Sequence, residues 1–424
     1  MSQRHDPSMT RRQLLLAAAG TGVTAGLGRR AGAAVTLNVS EPSYLQPGYK
    51  EQIDAIDETF ARLHPGNNVK QVSPPFAQYH GQVLTQLQAG APPDVIRVDD
   101  PQIQFFIERG WLEPLDPWLK KADVNTATFI NSQRDAQRDG QTYAIPRETN
   151  PRVYIYNQEL FRKAGVDIPH DLVSFRESVK KTTNEATGQF GMGIATKAGN
   201  PTALFIQLMP IVLGLGGQFF RGATPTATDP KVLEALELVK EMWDANHIPR
   251  GLDAVTINNL VSQGKIASII SGSFIILQTV KSNPEVAAHL TAAKNPLPAP
   301  VTMRATAWWG VPRQGKNKDL AAQYVLLLLD PEQGRRQVEL TGTLPAPPGL
   351  VPPSFVAKYP WYRQVVEIGY AGRAVSYFPQ QLGAKGNDAL QAIGNGVLSV
   401  LYQSQPVERA MRDVQGKLEQ LVSA

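Results

Sequence analysis

Hydrophobic positions along the chain switch repeatedly between two periods. Over Val35–Ser40, "VTLNVS", apolar and polar residues alternate, which predicts a strand. In "YKEQIDAIDETFARLH" Ile53, Ile56, Phe60 and Leu63 share one helical face, and "HPG" ends that helix. "NVKQVS" predicts a second strand, "FAQYHGQVLTQLQAG" an amphipathic helix ending at Gly90, "DVIRV" a third strand, and "PQIQFFIERG" a further helix. Strands alternating with helices at a spacing of about 30 residues argue for βαβ units and a largely parallel, doubly wound sheet. The grammar recurs downstream. "TYAIP" and "PRVYIYN" read as strands and "LVSFRESVKKTTNEA" as a helix; "DPKVLEALELVKEMWDANHI" is a long helix capped by Asp229 with Pro230 in its first turn. "KIASIISG" is a buried strand, "ATAWWGVP" and the helix "KDLAAQYVLLLLD" follow, and the tail from Asn387 to Ala424 is helical. So long an alternation exceeds one core and predicts two α/β lobes, with "LPAPPGLVPPSF" as a connection between them.

Charge sharpens the picture at one end. The net charge of +5 invites a nucleic-acid reading, but residues 1–33 hold Arg4, Arg11, Arg12, Arg29 and Arg30 against Asp6, so the remainder is nearly neutral. No nucleic-acid partner is expected. "TRRQLLLAAAGTGVTAGLG" places paired arginines before a mildly apolar Ala/Gly-rich run, with Ala31 and Ala33 as small residues for cleavage. It resembles a twin-arginine export signal over residues 1–33. With no cysteine, neither disulfide nor lipid-anchoring thiol is possible, so a soluble protein free in the periplasm is expected.

Candidate chemistry is sparse. His64, His80, His170, His247 and His289 show no metal-ligand spacing, and no G-x-S-x-G elbow is present, so no metal, cofactor or catalytic residue is predicted. "GVPRQGKN" has the G-x4-G-K outline, but Asn317 stands where a P-loop needs a hydroxyl and Pro312 removes a backbone donor; it reads as a strand-to-helix turn. Asp99 and Asp100 end a strand on opposite faces. Asp100 before Pro101 suits a helix N-cap, and Asp99 is left at the carboxyl end of a parallel strand, where α/β sheets place ligands. Tyr154 and Tyr156 share a face, and Trp308 and Trp309 point to opposite faces, so that one can look outward. A crevice of aromatic faces and fixed polar groups suits a sugar.

The order of "FARLHPGNNVKQV", "LTQLQAGAPPDVIRVD", "RGWLEPLDPWLK", "RDGQTYAIPRETNPRVYIYNQELFRKAGV", "LVSQGKIASIISGSF", "WWGVPRQGKNKDLAAQYVLLLLDPEQGRR" and "TGTLPA" resembles the family 1 extracellular solute-binding proteins of bacterial ABC importers, the maltose/trehalose-binding group. The resemblance implies a two-lobed α/β fold of the type II periplasmic-binding-protein class, each lobe a mostly parallel sheet flanked by helices, joined by hinge strands. It places the N-terminal lobe at 34–147 plus about 311–344, and the C-terminal lobe at about 148–310 plus 345–424. It further implies capture of a carbohydrate and delivery to permease subunits in the inner membrane, by a monomer without enzymatic activity. Carried over by position, the ligand residues are Tyr44, Asp99, Arg147, Glu148, Asn150, Phe274, Trp308, Arg373 and Tyr377. Phe274 replaces the family's usual tryptophan. Two alternatives stay open: a polyol or glycerol-phosphate receptor using Arg147, Arg304, Arg373 and Lys385, and an exported glycosidase or lyase using Asp99 and Glu148.

Overall fold

The computed structural model describes residues 34–100, 102–376 and 380–423; the leader, Pro101 and Tyr377 lie outside the described residues. Alternating apolar positions produce strands β1 (Thr36–Ser40), β2 (Asn68–Val72) and β3 (Val95–Asp99), linked by helices α1 (Tyr49–Leu63) and α2 (Phe76–Gln88). Next comes β4 (Ala144–Asn157), then β5 (Phe190–Met192), β6 (Ile266–Gly272), β7 (Leu290–Ala293), β8 (Thr302–Gly310) and β9 (Ala374–Ser376). They form one sheet ordered β2-β1-β3-β8-β4-β6-β5, with β7 on β4 and β9 on β8. Pairing is parallel within β2-β1-β3 and between β6 and β5. It is antiparallel where β8 meets β3 and β4, and where β4 meets β6 and β7.

The segments "TYAIP" and "PRVYIYN", read as two strands, are one. Pro146 and Pro151 interrupt donors but not the extended path, so β4 runs 14 residues without a break. Its first part pairs with β8 and its second, from Arg152, with β6 and β7. β8 runs the other way: Ala307–Gly310 pair with β3, and Thr302–Arg304 with β9. A third link is Leu344, whose N–H and C=O exchange hydrogen bonds of 3.0 and 3.1 Å with Thr149. Three segments therefore cross between two halves of the sheet.

Each half has apolar packing on both faces. Around β1 and β3, Leu37, Val39, Ile53, Phe60, Ile145 and Trp309 pack on one face; Ile96, Val98, Phe106, Tyr143 and Trp308 pack on the other. In the second half Tyr154 faces one core while Val153 and Ile155 face another. The C-terminal helices Gly386–Gln403 and Val407–Ser423 pack against each other and complete the Tyr154 core. Burying aliphatic and aromatic side chains of this size is worth about 1.5–3 kcal/mol each. Asp229 caps its helix as expected, accepting from Lys231 N at 2.8 Å. No helix among the described residues is long and apolar enough to cross a membrane.

Candidate functional site

The carboxyl ends of β1 and β3 meet the crossing strands at a buried ionic cluster. Asp99 on β3, Ala307 on β8 and Glu148 on β4 stand abreast in register, so the two acids flank a methyl group. Adjacent strand residues normally face opposite sides, yet Arg147 and Glu148 both reach this cluster. The reason is a bulge: Trp308 pairs with Pro146 and Ala307 with Glu148, leaving Arg147 as the extra residue. Without it, Glu148 would turn to the far face.

Arg97, two residues before Asp99 and on its face, organises the acids. Its Nε donates to Asp99 Oδ1 at 2.8 Å, its Nη2 lies 2.9 Å from Glu148 Oε1, and its Nη1 meets Glu41 Oε1 at 3.2 Å and Ser43 Oγ at 2.9 Å. Arg147 Nη2 donates to Gln52 Oε1 at 2.7 Å, while Nε and Nη1 lie 3.3 and 3.6 Å from Glu41 Oε2 and Glu148 Oε2. Trp309 Nε1 donates to Glu41 Oε2 at 2.9 Å, and His80 Nε2 sits 3.1 Å from Asp99 Oδ2. Three acids thus surround two guanidinium groups, with His80 at the rim. Burial by itself would raise Asp99, but Arg97 and His80 outweigh it and hold the carboxyl down at about 2. Glu41 is likewise lowered against the pull of burial, by Arg97 and Arg147.

Aromatic groups frame the cluster. Arg147 lies under the rings of Tyr49 and Trp309, 4.9 and 5.7 Å from their centroids, and Arg97 lies 5.2 Å from the Phe76 centroid. Burial, then Glu148, push the Tyr49 hydroxyl well above its usual range. Phe274 opens the helix Phe274–Ser282, and it lines a narrow crevice together with Tyr49, Pro47, Leu277, Gln278 and Lys281. Gly48 permits the approach: it has φ of 86°, and a Cβ there would stand 2.3 Å from the Leu340 carbonyl oxygen.

Of the residues carried over from the resemblance, Asp99, Arg147 and Glu148 come together, Asn150 follows Glu148 on the same strand face, and Phe274 lines a crevice together with Tyr49. Three others lie elsewhere. Tyr44 donates to Asp54 Oδ1 at 2.8 Å and packs beside Lys50, tied to helix α1. Trp308 has no exposed surface and lies in the apolar core with Val98 and Tyr79; Trp309 is equally buried, so neither indole looks outward. Arg373 is 48% exposed next to Glu367, and its carbonyl accepts from Thr302 N. The reading of Asp100 as a cap is also corrected. Helix α3 (Ile103–Glu108) starts behind Gln102, while Asp100 Oδ2 accepts from Thr306 N at 2.5 Å and Oδ1 from Ser376 Oγ at 3.1 Å. It belongs with Arg304 and Asp135 on the opposite face of the crossing strands; burial, with Asp135 adding to it and Arg304 opposing, pushes it up to about 7.

Glu41, Arg97, His80, Gln52 and Tyr49 were not anticipated. Two of the five carried a signal: Arg97 is at i−2 from Asp99, and Glu41 directly follows a parallel strand, the same position that singled out Asp99. Among the described residues, no group of three or more His, Asp or Glu side chains is arranged to hold a metal ion.

A model of the bacterial extracellular solute-binding proteins matches residues 40–335. Proteins of Brucella abortus and Brucella suis named as binding proteins are 24% identical over 261 residues; the match covers 59% of this chain and spans only 61% of theirs. A galactooligosaccharide-binding protein of Bacillus subtilis is 22% identical over 395 residues, 87% of this chain and 88% of that protein. A solute-binding protein from Thermotoga lettingae, bound with α-D-tagatose, superposes with TM-score 0.79 at 21% identity, covering 92% of this chain and 99% of that one. UgpB from Mycobacterium tuberculosis, in complex with glycerophosphocholine, gives TM-score 0.78 at 18% identity over 92% and 98% of the chains.

Proposed function

Because this chain belongs to the bacterial extracellular solute-binding protein family, we propose that it is the carbohydrate receptor of an ABC importer, closing two lobes on a sugar and presenting it to membrane permease subunits. The observation that carries this reading is the convergence of Asp99, Glu148 and Asn150 at the crossing strands, with Tyr49 and Phe274 lining a narrow crevice. Carboxylate and amide acceptors bind sugar hydroxyls, and aromatic faces cover the C–H surface of the ring. The galactooligosaccharide and tagatose ligands of its relatives favour the same class.

In this proposal the lobes are 34–147 with about 311–344, and about 148–310 with 345–424. β4, β8 and the Leu344 segment are the hinges, so a ligand held by both lobes favours the closed state through its differential affinity. Ligand contacts are Asp99, Glu148, Asn150 and Phe274, with Tyr49 in the place expected for Tyr44. The protein works as a monomer in the periplasm after twin-arginine export. It is a receptor rather than a hydrolase in this reading: the two acids a glycosidase would need, Asp99 and Glu148, are both ion-paired with the buried Arg97, at 2.8 and 2.9 Å, and so are engaged as structural partners.

The test is a thermal-shift panel of mono- and disaccharides. A bound sugar at a hundredfold excess over Kd adds about 2.7 kcal/mol, and for a protein of this size raises Tm by about 3 °C. Recovery of the unchanged sugar after prolonged incubation is expected. A panel without any shift would overturn the carbohydrate reading, and cleaved sugar would overturn the receptor reading.

A further inference from the structure

A second set of polar side chains, on the face of the crossing strands away from Asp99, ties the two proposed lobes together. Asp100 directly follows β3 and is only 1% exposed. Its Oδ2 accepts from Thr306 N of β8, and its Oδ1 accepts from Ser376 Oγ of β9 at 3.1 Å. Gln380 Nε2 donates to the Asp100 carbonyl at 3.3 Å and to Ser376 Oγ at 3.1 Å. Beside them, Asn131 Nδ2 donates to the Ala374 carbonyl at 3.0 Å. Ala374, Ser376 and Gln380 of the C-terminal lobe are thus fastened to Asp100 and Asn131 of the N-terminal lobe. The turn Gln380–Lys385 then packs on helix α3, so closely that a Cβ at Gly383 would stand 2.3 Å from Glu108 Oε2.

Charge in this set does not balance. Two acids, Asp100 and Asp135, share the guanidinium of Arg304. Its Nη2 is paired with Asp135, while Nη1 donates to Thr306 Oγ1 at 3.0 Å and lies 3.6 Å from Asp100 Oδ1, too far for a hydrogen bond. The other elements against Asp100 offer it neutral groups, Ser376 from β9 and Gln380 from the turn. At the edge, Glu108 of α3 is engaged by Arg138 at 2.9 Å, and Lys385 ends the turn. An ionised Asp100 is therefore short of both water and a counter-ion, and burial, with Asp135 adding to it, pushes the carboxyl up to about 7.

From this geometry we propose that Asp100 is a proton-operated tether between the lobes: its neutral carboxyl holds Ser376 and Gln380 against β3 and β8, and its ionisation favours an arrangement in which that segment moves aside and the carboxyl meets water. The proposal rests on the lobe division given above and not on the identity of the ligand. Its sign follows from linkage. The tethered arrangement holds the proton more tightly, with a pKa of about 7 against about 4 for a hydrated aspartate, so it is favoured in acid. Its population relative to the released arrangement falls by up to about tenfold per pH unit between 4 and 7, and is level above that.

The chain has no cysteine, so Arg62→Cys and Val173→Cys, at exposed positions of the two lobes, can carry a donor and an acceptor fluorophore. Single-molecule energy transfer in the sugar-free protein is then read at pH 5 and pH 8. A dominant distance at pH 5 is expected to give way to a second one, with the ratio of the two populations changing at least tenfold by pH 8. Asp100→Asn, which keeps the neutral contacts at every pH, should hold the pH 5 distribution at both. Gln380→Ala removes two of the fastenings without touching Arg304, and should enlarge the second population at least threefold already at pH 5. One unchanged distribution at both pH values in the otherwise unaltered protein would overturn the proposal. So would a pH response that persists in Asp100→Asn, or a Gln380→Ala distribution that matches its parent. Because no sugar is present, none of these results depends on whether the thermal panel finds a ligand.

Discussion

Replacing Arg97 with methionine keeps most of the buried stem and removes the charge that three carboxylates share. Arg97 is only 7% exposed, and Glu41, Asp99 and Glu148 are each within 3.2 Å of one of its nitrogens. Breaking a buried ion pair by removing one partner costs about 3–5 kcal/mol, because the remaining charge has lost both water and its counter-ion. The fall of Asp99 from 3.8 to about 2 by itself corresponds to roughly 2–3 kcal/mol of preference for the charged form. Both routes give a similar size, a large part of a typical total stability of about 5–15 kcal/mol. For a chain of this length the expected drop in Tm is about 4–6 °C. The sign with pH follows. In the wild type the folded pKa of Asp99 lies below its unfolded value, so its contribution is present above about pH 4 and lost as pH falls through 2. In the variant, burial and the neighbouring acids raise the pKa instead. Charged Asp99 then destabilises the native state at pH 7, and the deficit shrinks towards pH 5 as the acids take up protons. Urea unfolding of both proteins at pH 7 and pH 5 measures this. A loss below 1 kcal/mol at pH 7, or a deficit that widens towards pH 5, would refute the reasoning.

Asp100 gives the opposite pH signature, since its folded pKa of about 7 lies above the unfolded value and its cost appears as pH rises from 4 through 7. Asp100→Asn should therefore gain roughly 2 kcal/mol on the wild type between pH 5 and pH 8, read from urea midpoints; a constant difference would contradict this. Gly394 of the helix Gly386–Gln403 lies against the first turn of the helix at Pro201–Gly214, where a Cβ would be 2.3 Å from the Pro201 carbonyl oxygen. Gly394→Ala should cost about 1–3 kcal/mol of stability in thermal unfolding, whereas an unchanged Tm would show that the two helices can separate freely.

Local order was highly legible in the sequence, because alternation and helical spacing are properties of neighbouring residues. The helix Tyr49–Leu63 and the strand Ile266–Gly272 lie where the periodicity places them. The site was partly legible. Asp99 is singled out by its position at a strand end, but its partners depend on pairing across β1, β3, β8 and β4, which no local window contains. Arg147 and Glu148 share a face only because of a bulge, and strict alternation would have separated them. The two tryptophans do face opposite ways, as alternation requires, but helices cover both sides of the sheet, and exposure depends on that cover rather than on the strand. Tyr44 and Tyr49 were separable only by the turn at Gly48, which ties the first to Asp54 and brings the second to Arg147. Asp100 was misread because a proline at the next position suits a cap equally well; the competing backbone donor, Thr306 N, is 206 residues away in sequence.

Isothermal titration of the sugar identified by the thermal panel, against the wild-type protein and Asn150→Ala, tests the central claim most directly. Convergence of Asp99, Glu148 and Asn150 on one ligand predicts 1:1 binding that weakens at least tenfold in the variant while Tm in the absence of sugar is retained. Equal affinity in both proteins would place the sugar elsewhere and contradict the account.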